Sequence, residues 1–410
     1  MTRGVGGSSA QQALAMLQPM MDGVVDIVAA EYAGRIARLQ ALMREQQVAA
    51  MVLYGGTNLR YFTGLQWRPS ERLVAAVVPA QGEPHFIAPW FERGTVQDLL
   101  VLRGPLHTWH EHESPSELVH QVLAGLGLPM SHSGTRVGLD ESMPYFAVAG
   151  LQKSSAGLTL FNAHDLTAHC RMRKSAAELA LMQRAFDMTL CVHRATAAML
   201  HEGIGTTEVE AFIDLAHRRV GASGSSFVIV LFGVASSFPH GVKDPQTLRQ
   251  GDVVLIDTGC YVHGYTSDIT RSYVFGEASA AVRRIWALEQ AAQAAAFAAA
   301  QPGTPCSAVD AAARAVVTQA GLGPGYALPG IPHRTGHGIG LDIHERPYLT
   351  GNDDTPLQAG MCCSNEPMIV VPGEFGIRLE DHFYMTDTGP RWFTQPSPGV
   401  DDPFGLAALR

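Results

Sequence analysis

The sequence of 410 residues is 46% hydrophobic and 16% charged, and it carries a formal net charge of −9. This composition is typical of a globular enzyme and excludes a disordered chain, while the negative charge without a long basic run argues against nucleic acid as a partner. No apolar stretch reaches 18 residues, so we expect no membrane-spanning segment. The six cysteines form no CxxC pair, and the first residues lack a signal-peptide pattern. We therefore expect a cytoplasmic protein, and the length predicts two domains.

Residues 1–30 are predicted to be a tail and lead-in, and residues 31–168 to form a first domain. Hydrophobic periodicity in this domain predicts alternating helices and strands, which is typical of an α/β domain. Ser114 as N-cap and Pro115 at the first helical position mark the start of one helix, and a turn is predicted at 55–58. The predicted helices are 31–47, 91–100 and 116–126, and the predicted strands are 49–54, 73–79, 84–88, 106–110, 136–139 and 158–161.

Residues 169–410 are predicted to form a larger second domain. Ser175 and Glu178 form a capping box that starts a long helix. A second capping box, Thr207 with Glu210, is predicted for the helix that follows. Further helices are predicted at 279–300 and, with Ser307 as N-cap, at 308–320, and strands at 226–232, 368–371 and 375–386.

A hairpin is predicted at residues 251–276, with its turn at 263–264. If the turn is centred there, Asp257 lies opposite Thr270. Asp268 is two residues from Thr270 and therefore points to the same face of the ribbon as Asp257. Diagonal neighbours of this kind lie about 7–8 Å apart at the backbone, so the two side chains can converge. Two converging carboxylates repel each other unless a proton or a cation lies between them.

Three more candidate ligands follow the hairpin, namely His337, Glu366 and Glu380. With Asp257 and Asp268 they make four carboxylates and one imidazole, a set that balances two divalent cations and suits Mn²⁺, Co²⁺ or Zn²⁺. The simpler interpretation is that Asp257 is an ordinary turn residue, but it lies in an apolar strand, where an unpaired buried carboxylate is costly. The glycines around His337 let the backbone approach another group closely. GHGIG also matches part of a phosphate loop, but without the strand-to-helix context.

The five residues, in this order and in these contexts, resemble the M24 metallopeptidases of the pita-bread fold. The matching motifs are DTG-x8-D-x-T-R with Asp257 and Asp268, HGIGLDIHE with His337, and E-P followed by R-x-E-D with Glu366 and Glu380. The first domain also resembles the creatinase-type N-terminal domain. The resemblance implies an α+β fold, in which a smaller α/β creatinase-type domain at 31–168 precedes a pita-bread (creatinase/aminopeptidase-like) catalytic domain at 169–410.

The resemblance further implies a dinuclear centre, with Mn²⁺ as the leading ion and Co²⁺ or Zn²⁺ as alternatives. Asp257 would bind one ion through both oxygens, and Asp268 and Glu380 would bridge the two ions. His337 and Glu366 would each complete one ion. A hydroxide that bridges two metals is a strong nucleophile at neutral pH, and Glu366 would take the proton from the attacking water.

Four further residues match the catalytic helpers of this family: His240, His333, His344 and Arg378. A histidine beside the scissile amide can protonate the leaving nitrogen or stabilise an oxyanion. Arg378 would hold acidic ligands in place or bind the substrate's carboxylate, and the former role is preferred. The other histidines, His382 among them, fit no ligand pattern.

The implied activity is hydrolysis of the Xaa–Pro bond, with dipeptides (prolidase activity) as the first prediction and a small peptide with proline after the scissile bond as the partner. Aminopeptidase P, which acts on longer Xaa-Pro-Xaa peptides, is the alternative within this class. Ectoine hydrolase or dimethylsulfoniopropionate lyase chemistry on the same scaffold is a second hypothesis, and a non-enzymatic module is disfavoured by the intact ligand set. The chain departs from the family at Val370, where proline-specific members usually carry tyrosine, and Arg346 is a candidate substrate-binding arginine. Family members are commonly dimers, so a homodimer is expected.

Overall fold

A computed structural model of the protein describes residues 2–130 and 134–407. The chain divides into two compact units, of which one spans Ile27–Arg171 and the other contains the rest of the described chain. Residues 2–26 therefore belong to the same unit as the carboxyl-terminal part. Helix α1 (Ala10–Ala15) begins in this segment at a capping box formed by Ser9 and Gln12.

The unit Ile27–Arg171 is built on a six-stranded sheet with the strand order β4-β3-β2-β1-β5-β6. Strand β1 pairs antiparallel with β2 and parallel with β5, and its apolar residues are almost all buried. The predicted turn at 55–58 is wrong in part, because Gly56 (φ 141°) is followed directly by a helix. The elements are α2 (Ala29–Glu45), β1 (Val48–Tyr54), α3 (Thr57–Thr63), β2 (Ala75–Pro79), β3 (His85–Pro89), α4 (Arg93–Leu99), β4 (Leu106–Trp109), α5 (Pro115–Gly125), β5 (Arg136–Leu139), α6 (Tyr145–Ser154), β6 (Thr159–Asn162) and α7 (His164–Arg171).

Four helices of the second unit are α8 (Ala176–Met199), α9 (Thr206–Val220), α10 (Ala280–Ala299) and α11 (Cys306–Gln319). The predicted capping box of Ser175 and Glu178 is confirmed. The one predicted for α9 is wrong, because the helix begins earlier and Glu208 accepts the hydrogen bond of the Gly205 N–H. Among the described residues, none of the helices combines the length and apolar character needed to cross a bilayer.

Helix α11 also begins earlier than predicted, with Pro305 rather than Ser307 as its N-cap. The reason lies in the loop that covers its start. The backbone N–H groups of Cys306 and Ser307 donate to the carbonyl oxygens of Thr355 and Asp353, at 3.0 and 2.8 Å. Because the loop satisfies these donors, the helix does not depend on a side-chain cap.

The strands of the second unit form three sheets, with the orders β10-β8-β7, β12-β11-β13-β16-β17 and β14-β15, and β9 pairs with β8. The predicted strand 375–386 is broken into β15 and β16, which lie in different sheets. At the break the Glu380 N–H donates to the carbonyl oxygen of Thr270 at 3.1 Å, so the chain crosses to β10 there. The bounds are β7 (Ser225–Phe232), β8 (Val253–Val262), β9 (Tyr265–Thr266), β10 (Ile269–Val274), β11 (Gly336–Gly338), β12 (Glu345–Leu349), β13 (Cys362–Asn365), β14 (Met368–Val371), β15 (Phe375–Arg378), β16 (Asp381–Thr386) and β17 (Gly389–Trp392).

The long helix α8 and helix α9 pack against β8 and β7, and α10 and α11 cover an apolar core that includes Trp286 and Phe383. The Trp286 indole also donates to the carbonyl oxygen of Ser272 on β10 at 2.9 Å. The ligand-bearing strands are therefore held from both sides by helices of the same unit.

His217 on α9 is a buried histidine whose ring nitrogens lie 3.1 Å from the Thr189 hydroxyl and 2.8 Å from the Ser225 hydroxyl. Burial lowers the pKa of His217 to about 4. The unfolded chain binds a proton at this histidine below about pH 6.5, whereas the folded chain does not until about pH 4. We therefore expect the free energy of unfolding to fall as the pH falls through this window, by about 3 kcal/mol in total from this residue.

Urea denaturation at pH 7, 5.5 and 4.5 measures this dependence. His217→Gln is expected to flatten it, while the same substitution at the exposed His201 is expected to leave it unchanged. Equal slopes for wild type and His217→Gln would contradict the assignment.

Candidate metal centre

The predicted register of the hairpin is confirmed, since Asp257 on β8 lies opposite Thr270 on β10. The turn is made by His263 (φ 44°) and Gly264 (φ 83°), where the left-handed backbone favours glycine at the second position. Gly259 is required for a different reason, because a Cβ at that position would lie 1.8 Å from the carbonyl oxygen of Ser267. The hairpin thus bends tightly just before Asp268.

The five predicted ligands come together in this unit. Ligand atoms of Asp268, His337 and Glu380 lie within 4.8 Å of one another. The His337 Nε2 atom lies 3.1 Å from Glu366 Oε1 and 3.7 Å from Asp268 Oδ2. Asp257 lies close enough to Asp268 and Glu366 for these carboxylates to shift its pKa. The cluster therefore joins the hairpin to β11, to the segment after β13, and to the junction of β15 and β16.

The donor atoms of this cluster fit divalent cations. Asp257, Asp268, His337 and Glu380 are buried, and only Glu366 is partly accessible. One carboxylate oxygen each of Asp257, Asp268 and Glu380 is buried without a hydrogen-bond partner among the described residues. Buried carboxylate oxygens of this kind are costly unless a cation binds them, and oxygen donors with one imidazole suit Mn²⁺, Co²⁺ or Zn²⁺.

The pKa shifts of the four carboxylates also indicate a site for cations. Burial, together with the charges of neighbouring carboxylates, raises the pKa of Asp268 and Glu380 well above their usual values. Burial also raises the pKa of Asp257, although the Arg378 charge opposes the shift. For Glu366 burial acts in the same sense, but the hydrogen bond and charge of His337, with His333 and Arg378, outweigh it and lower the pKa. Positive charge is therefore required for all four groups to be ionised together.

His337 is held in one tautomer by its own strand. Its Nδ1–H donates to the carbonyl oxygen of Gly338 at 3.0 Å, which leaves Nε2 facing the carboxylates. The glycines beside it allow the close approach of neighbouring backbone, because a Cβ at Gly336 would lie 2.1 Å from the carbonyl oxygen of Ser364 and one at Gly338 2.5 Å from that of Arg346. The glycines around His337 therefore allow the backbones of β13 and β12 to approach β11 closely.

Arg378 lies behind the carboxylates with three of its nitrogens hydrogen-bonded. It donates to Asp257 Oδ2 at 2.6 Å, to the Thr270 hydroxyl at 3.0 Å and to the Pro239 carbonyl oxygen at 3.1 Å. The Thr270 hydroxyl in turn donates to Glu380 Oε2 at 2.6 Å. This geometry suits a residue that holds the acidic side chains in place, which was the preferred of its two predicted roles.

The three helper histidines lie close to the cluster or to one another. The His344 ring is perpendicular to that of His337, with 4.2 Å between centroids. Although His344 as a whole is exposed, the partial burial of its ring, aided by the charge of His337, lowers its pKa to about 4. Burial also lowers the pKa of His333, whose Nδ1–H donates to the carbonyl oxygen of Arg334 at 2.7 Å. His240 is exposed and lies near enough for its charge to lower the pKa of both His333 and His344.

The two positions of departure from the family lie in different surroundings. Val370 is buried in an apolar cluster with residues such as Leu231, Leu255 and Met368, so the chain offers no hydroxyl there. Arg346 is exposed on β12.

The sequence interpretation missed His382, the second residue of β16. One of its ring nitrogens lies within 4.8 Å of the ligand atoms of Asp268, His337 and Glu380. The signal was present as alternation along a strand, because residues two apart point to the same face, and Glu380 and His382 are two apart. Burial lowers the pKa of His382 well below its usual value, and the Asp268 backbone opposes this shift. Neither ring nitrogen has a hydrogen bond of good geometry within the described part of the chain.

Comparison with known proteins defines the class. The profile of metallopeptidase family M24 matches residues 180–387, and that of the creatinase/prolidase N-terminal domain matches residues 35–173. The chain belongs to metallopeptidase family M24, and the predicted combination of a creatinase-type domain with a pita-bread catalytic domain is confirmed.

Particular relatives share most of the chain. A probable dipeptidase PepE of Mycobacterium tuberculosis is 35% identical over 363 residues, which cover 87% of this chain and 93% of the relative. The crystal structure of dipeptidase PepE from Mycobacterium ulcerans superposes with a TM-score of 0.83 at 34% identity, covering 90% of this chain and 97% of that one. A prolidase from Thermococcus sibiricus gives a TM-score of 0.80 at 27% identity, with coverages of 89% and 97%.

Proposed function

We propose that this protein is a metal-dependent dipeptidase that hydrolyses the Xaa–Pro bond. The observation that carries the proposal is the buried cluster of four carboxylates and one imidazole, three of whose carboxylate oxygens have no protein partner within the described chain. The similarity to proteins named dipeptidase and prolidase supports the dipeptide substrate. We also propose that the protein is a homodimer. A cytoplasmic location is proposed because all six cysteines carry free thiols.

Asp257, Asp268, His337, Glu366 and Glu380 would hold two divalent cations, with Mn²⁺ as the first candidate and Co²⁺ or Zn²⁺ as alternatives. When bound, such ions supply a water of lowered pKa and polarise the scissile carbonyl. Among the protein's own groups, Glu366 is ionised and partly accessible, so its carboxylate can accept the proton of the attacking water. Arg378 keeps Asp257 and, through Thr270, Glu380 in position.

The departing group of an Xaa–Pro bond is a secondary amine, which needs a proton to leave. His240, His333 and His344 are the candidate donors. The pKa of His333 and His344 is lowered, so each gives up a proton readily but carries one only rarely near neutral pH. His240 and His344 are both exposed to solvent, whereas His333 is half-buried. Because the lowered pKa leaves His333 and His344 mostly unprotonated near neutral pH, we propose His240 as the proton donor, with His333 and His344 orienting the peptide through hydrogen bonds.

A second candidate is a dipeptidase without preference for proline. Two observations favour it: Val370 lies where proline-specific relatives usually carry tyrosine, and the Mycobacterium relatives are named dipeptidases without mention of proline. Aminopeptidase P activity, and non-peptidase chemistry such as ectoine hydrolysis or dimethylsulfoniopropionate cleavage, are tested by the same experiment.

The test begins with the chelator-treated protein, reloaded in turn with Mn²⁺, Co²⁺ or Zn²⁺. Each form is given Xaa-Pro dipeptides, the matching Xaa-Ala dipeptides, Xaa-Pro-Xaa tripeptides, ectoine and dimethylsulfoniopropionate. We expect turnover of Xaa-Pro dipeptides that is restored by metal, highest with Mn²⁺. Equal cleavage of Xaa-Ala establishes the general dipeptidase, tripeptide turnover the aminopeptidase, and turnover of neither peptide class overturns the proposal.

A further inference from the structure

His382 has no role in the function proposed above, yet its surroundings are those of a ligand. The side chain is fully buried, and neither ring nitrogen has a hydrogen bond of good geometry among the described residues. One nitrogen and the ligand atoms of Asp268, His337 and Glu380 lie within 4.8 Å of one another. Donors at 2.0–2.2 Å from one cation lie within about 4.4 Å of each other, so a small inward movement lets all four bind one ion.

The strand directs this side chain by its pleat. Along β16 the residues alternate between two environments, and Asp381 points away from the cluster to form a buried ion pair with Arg271 at 2.6 Å. His382 therefore lies on the same side as Glu380. Across the ladder it faces Ser364, whose hydroxyl donates to Glu366 Oε1 at 3.0 Å. The position is thus surrounded by residues that already belong to the centre.

Other buried histidines of the same unit show what a purely structural imidazole does. His217 has hydroxyl partners for both ring nitrogens, and the His193 Nε2–H donates to the carbonyl oxygen of Ile269 at 2.9 Å. The His382 ring packs between the Phe186 ring, at 5.0 Å between centroids, and the His337 ring, at 5.8 Å. A buried imidazole with neither nitrogen satisfied is costly, and a bound cation would offset that cost.

We propose that His382 is a further metal ligand, and that with His337 it makes one ion position rich in imidazole. Asp257 offers only carboxylate oxygens to the other position. Since imidazole suits Zn²⁺ and Co²⁺ while carboxylates suit Mn²⁺, the two positions differ in selectivity, and the one with His337 and His382 prefers Zn²⁺ or Co²⁺. The inference rests on the proposed metal dependence and specifies the ligands and the ion preference of one position.

The test measures metal binding rather than catalysis. Metal-free protein is titrated calorimetrically with Zn²⁺, Co²⁺ and Mn²⁺, and the visible absorption of bound Co²⁺ is recorded. We expect two bound ions in the wild type. His382→Phe keeps the ring volume beside Phe186. We expect it to lower the affinity for one of the two Zn²⁺ or Co²⁺ ions about 10- to 100-fold and to change the Co²⁺ spectrum. The affinity for Mn²⁺ should fall less.

His193→Gln is the matched control, a buried histidine whose replacement is expected to lower stability without changing metal affinity. His382→Gln replaces the phenylalanine variant if that one fails to fold. X-ray absorption of the wild-type Zn²⁺ protein needs no variant, and it should show an average of one imidazole per ion rather than one for every two ions.

Wild-type affinities and spectra in a folded His382 variant, or one imidazole for every two Zn²⁺, would overturn the inference. A wild type that binds two ions with these properties but cleaves no peptide overturns the proposed function and leaves the ligand assignment intact. A wild type that binds no divalent ion overturns both.

Discussion

Asp268→Asn is expected to abolish peptidase activity while the fold survives. The substitution keeps the shape of the side chain but removes the charge of a residue that faces Glu380, Asp257 and Glu366. Because the metals contribute several kcal/mol to transition-state stabilisation, we expect kcat/KM to fall about 10³-fold or more and the bound metal to fall below two ions. Metal analysis, circular dichroism and dipeptide hydrolysis measure the three quantities.

Asp268→Asn lowers activity, but we expect it to preserve or raise the stability of the metal-free protein. In the metal-free protein Asp268 is a buried acid whose pKa is raised well above its usual value by burial and by neighbouring carboxylates. Removing that repulsion should leave the melting temperature of the metal-free variant equal to or above that of the metal-free wild type. Asp252→Asn is the control, since this residue lies on the same hairpin and accepts a hydrogen bond from the Arg249 N–H, which asparagine can still accept. Normal metal content and activity in Asp268→Asn would remove the dinuclear interpretation.

Arg271→Met is expected to be among the most destabilising substitutions in the second unit. Arg271 and Asp381 are both buried and form an ion pair at 2.6 Å, and Arg271 also donates to the backbone oxygen of Glu380 at 2.8 Å. Removing one partner leaves the other charge buried without its counter-ion, which costs about 3–5 kcal/mol. Chemical denaturation measures the loss, and the freed Glu380 backbone predicts weaker metal binding as well.

Two further variants separate the ion pair from the loss of packing. The double variant Arg271→Met, Asp381→Leu removes both charges and should recover part of the stability lost by the single variant. Arg283→Met breaks the exposed pair with Asp401, which solvent screens, and should leave the denaturation midpoint close to that of the wild type. If Arg271→Met is as mild as Arg283→Met, the buried pair does not support the junction of β15 and β16.

The sequence predicted the hairpin to the residue because turn position and pleat together determine a register. Once 263–264 is the turn, the pairing of Asp257 with Thr270 follows, and the structure has that pairing. The strand 375–386 could not be predicted in the same way. Its apolar pattern continues through the break, and only the hydrogen bond from the Glu380 N–H to Thr270, 110 residues away in the chain, ends one strand and starts another.

Some candidate ligands could be found from local sequence, and others only from contacts between distant parts of the chain. Residues with a motif around them, such as His337 in HGIG, could be found from local sequence. His382 has no motif, and its place beside Glu380 becomes meaningful only when the junction is known to lie against β10. Arg271 and Arg378 are likewise distinguished by what they contact across the chain, not by their neighbours in sequence.

The crossing of the chain at Glu380 has a consequence for the order in which the protein matures. Between Asp268 and His337 lie α10 and α11, and the cluster is complete only when these helices have docked and the later strands have reached β10. An ion that arrives earlier finds only the two hairpin carboxylates. The complete set of ligands therefore exists only in the folded chain, so cations that bind it stabilise the folded state over the unfolded one, and the supply of metal affects stability as well as activity.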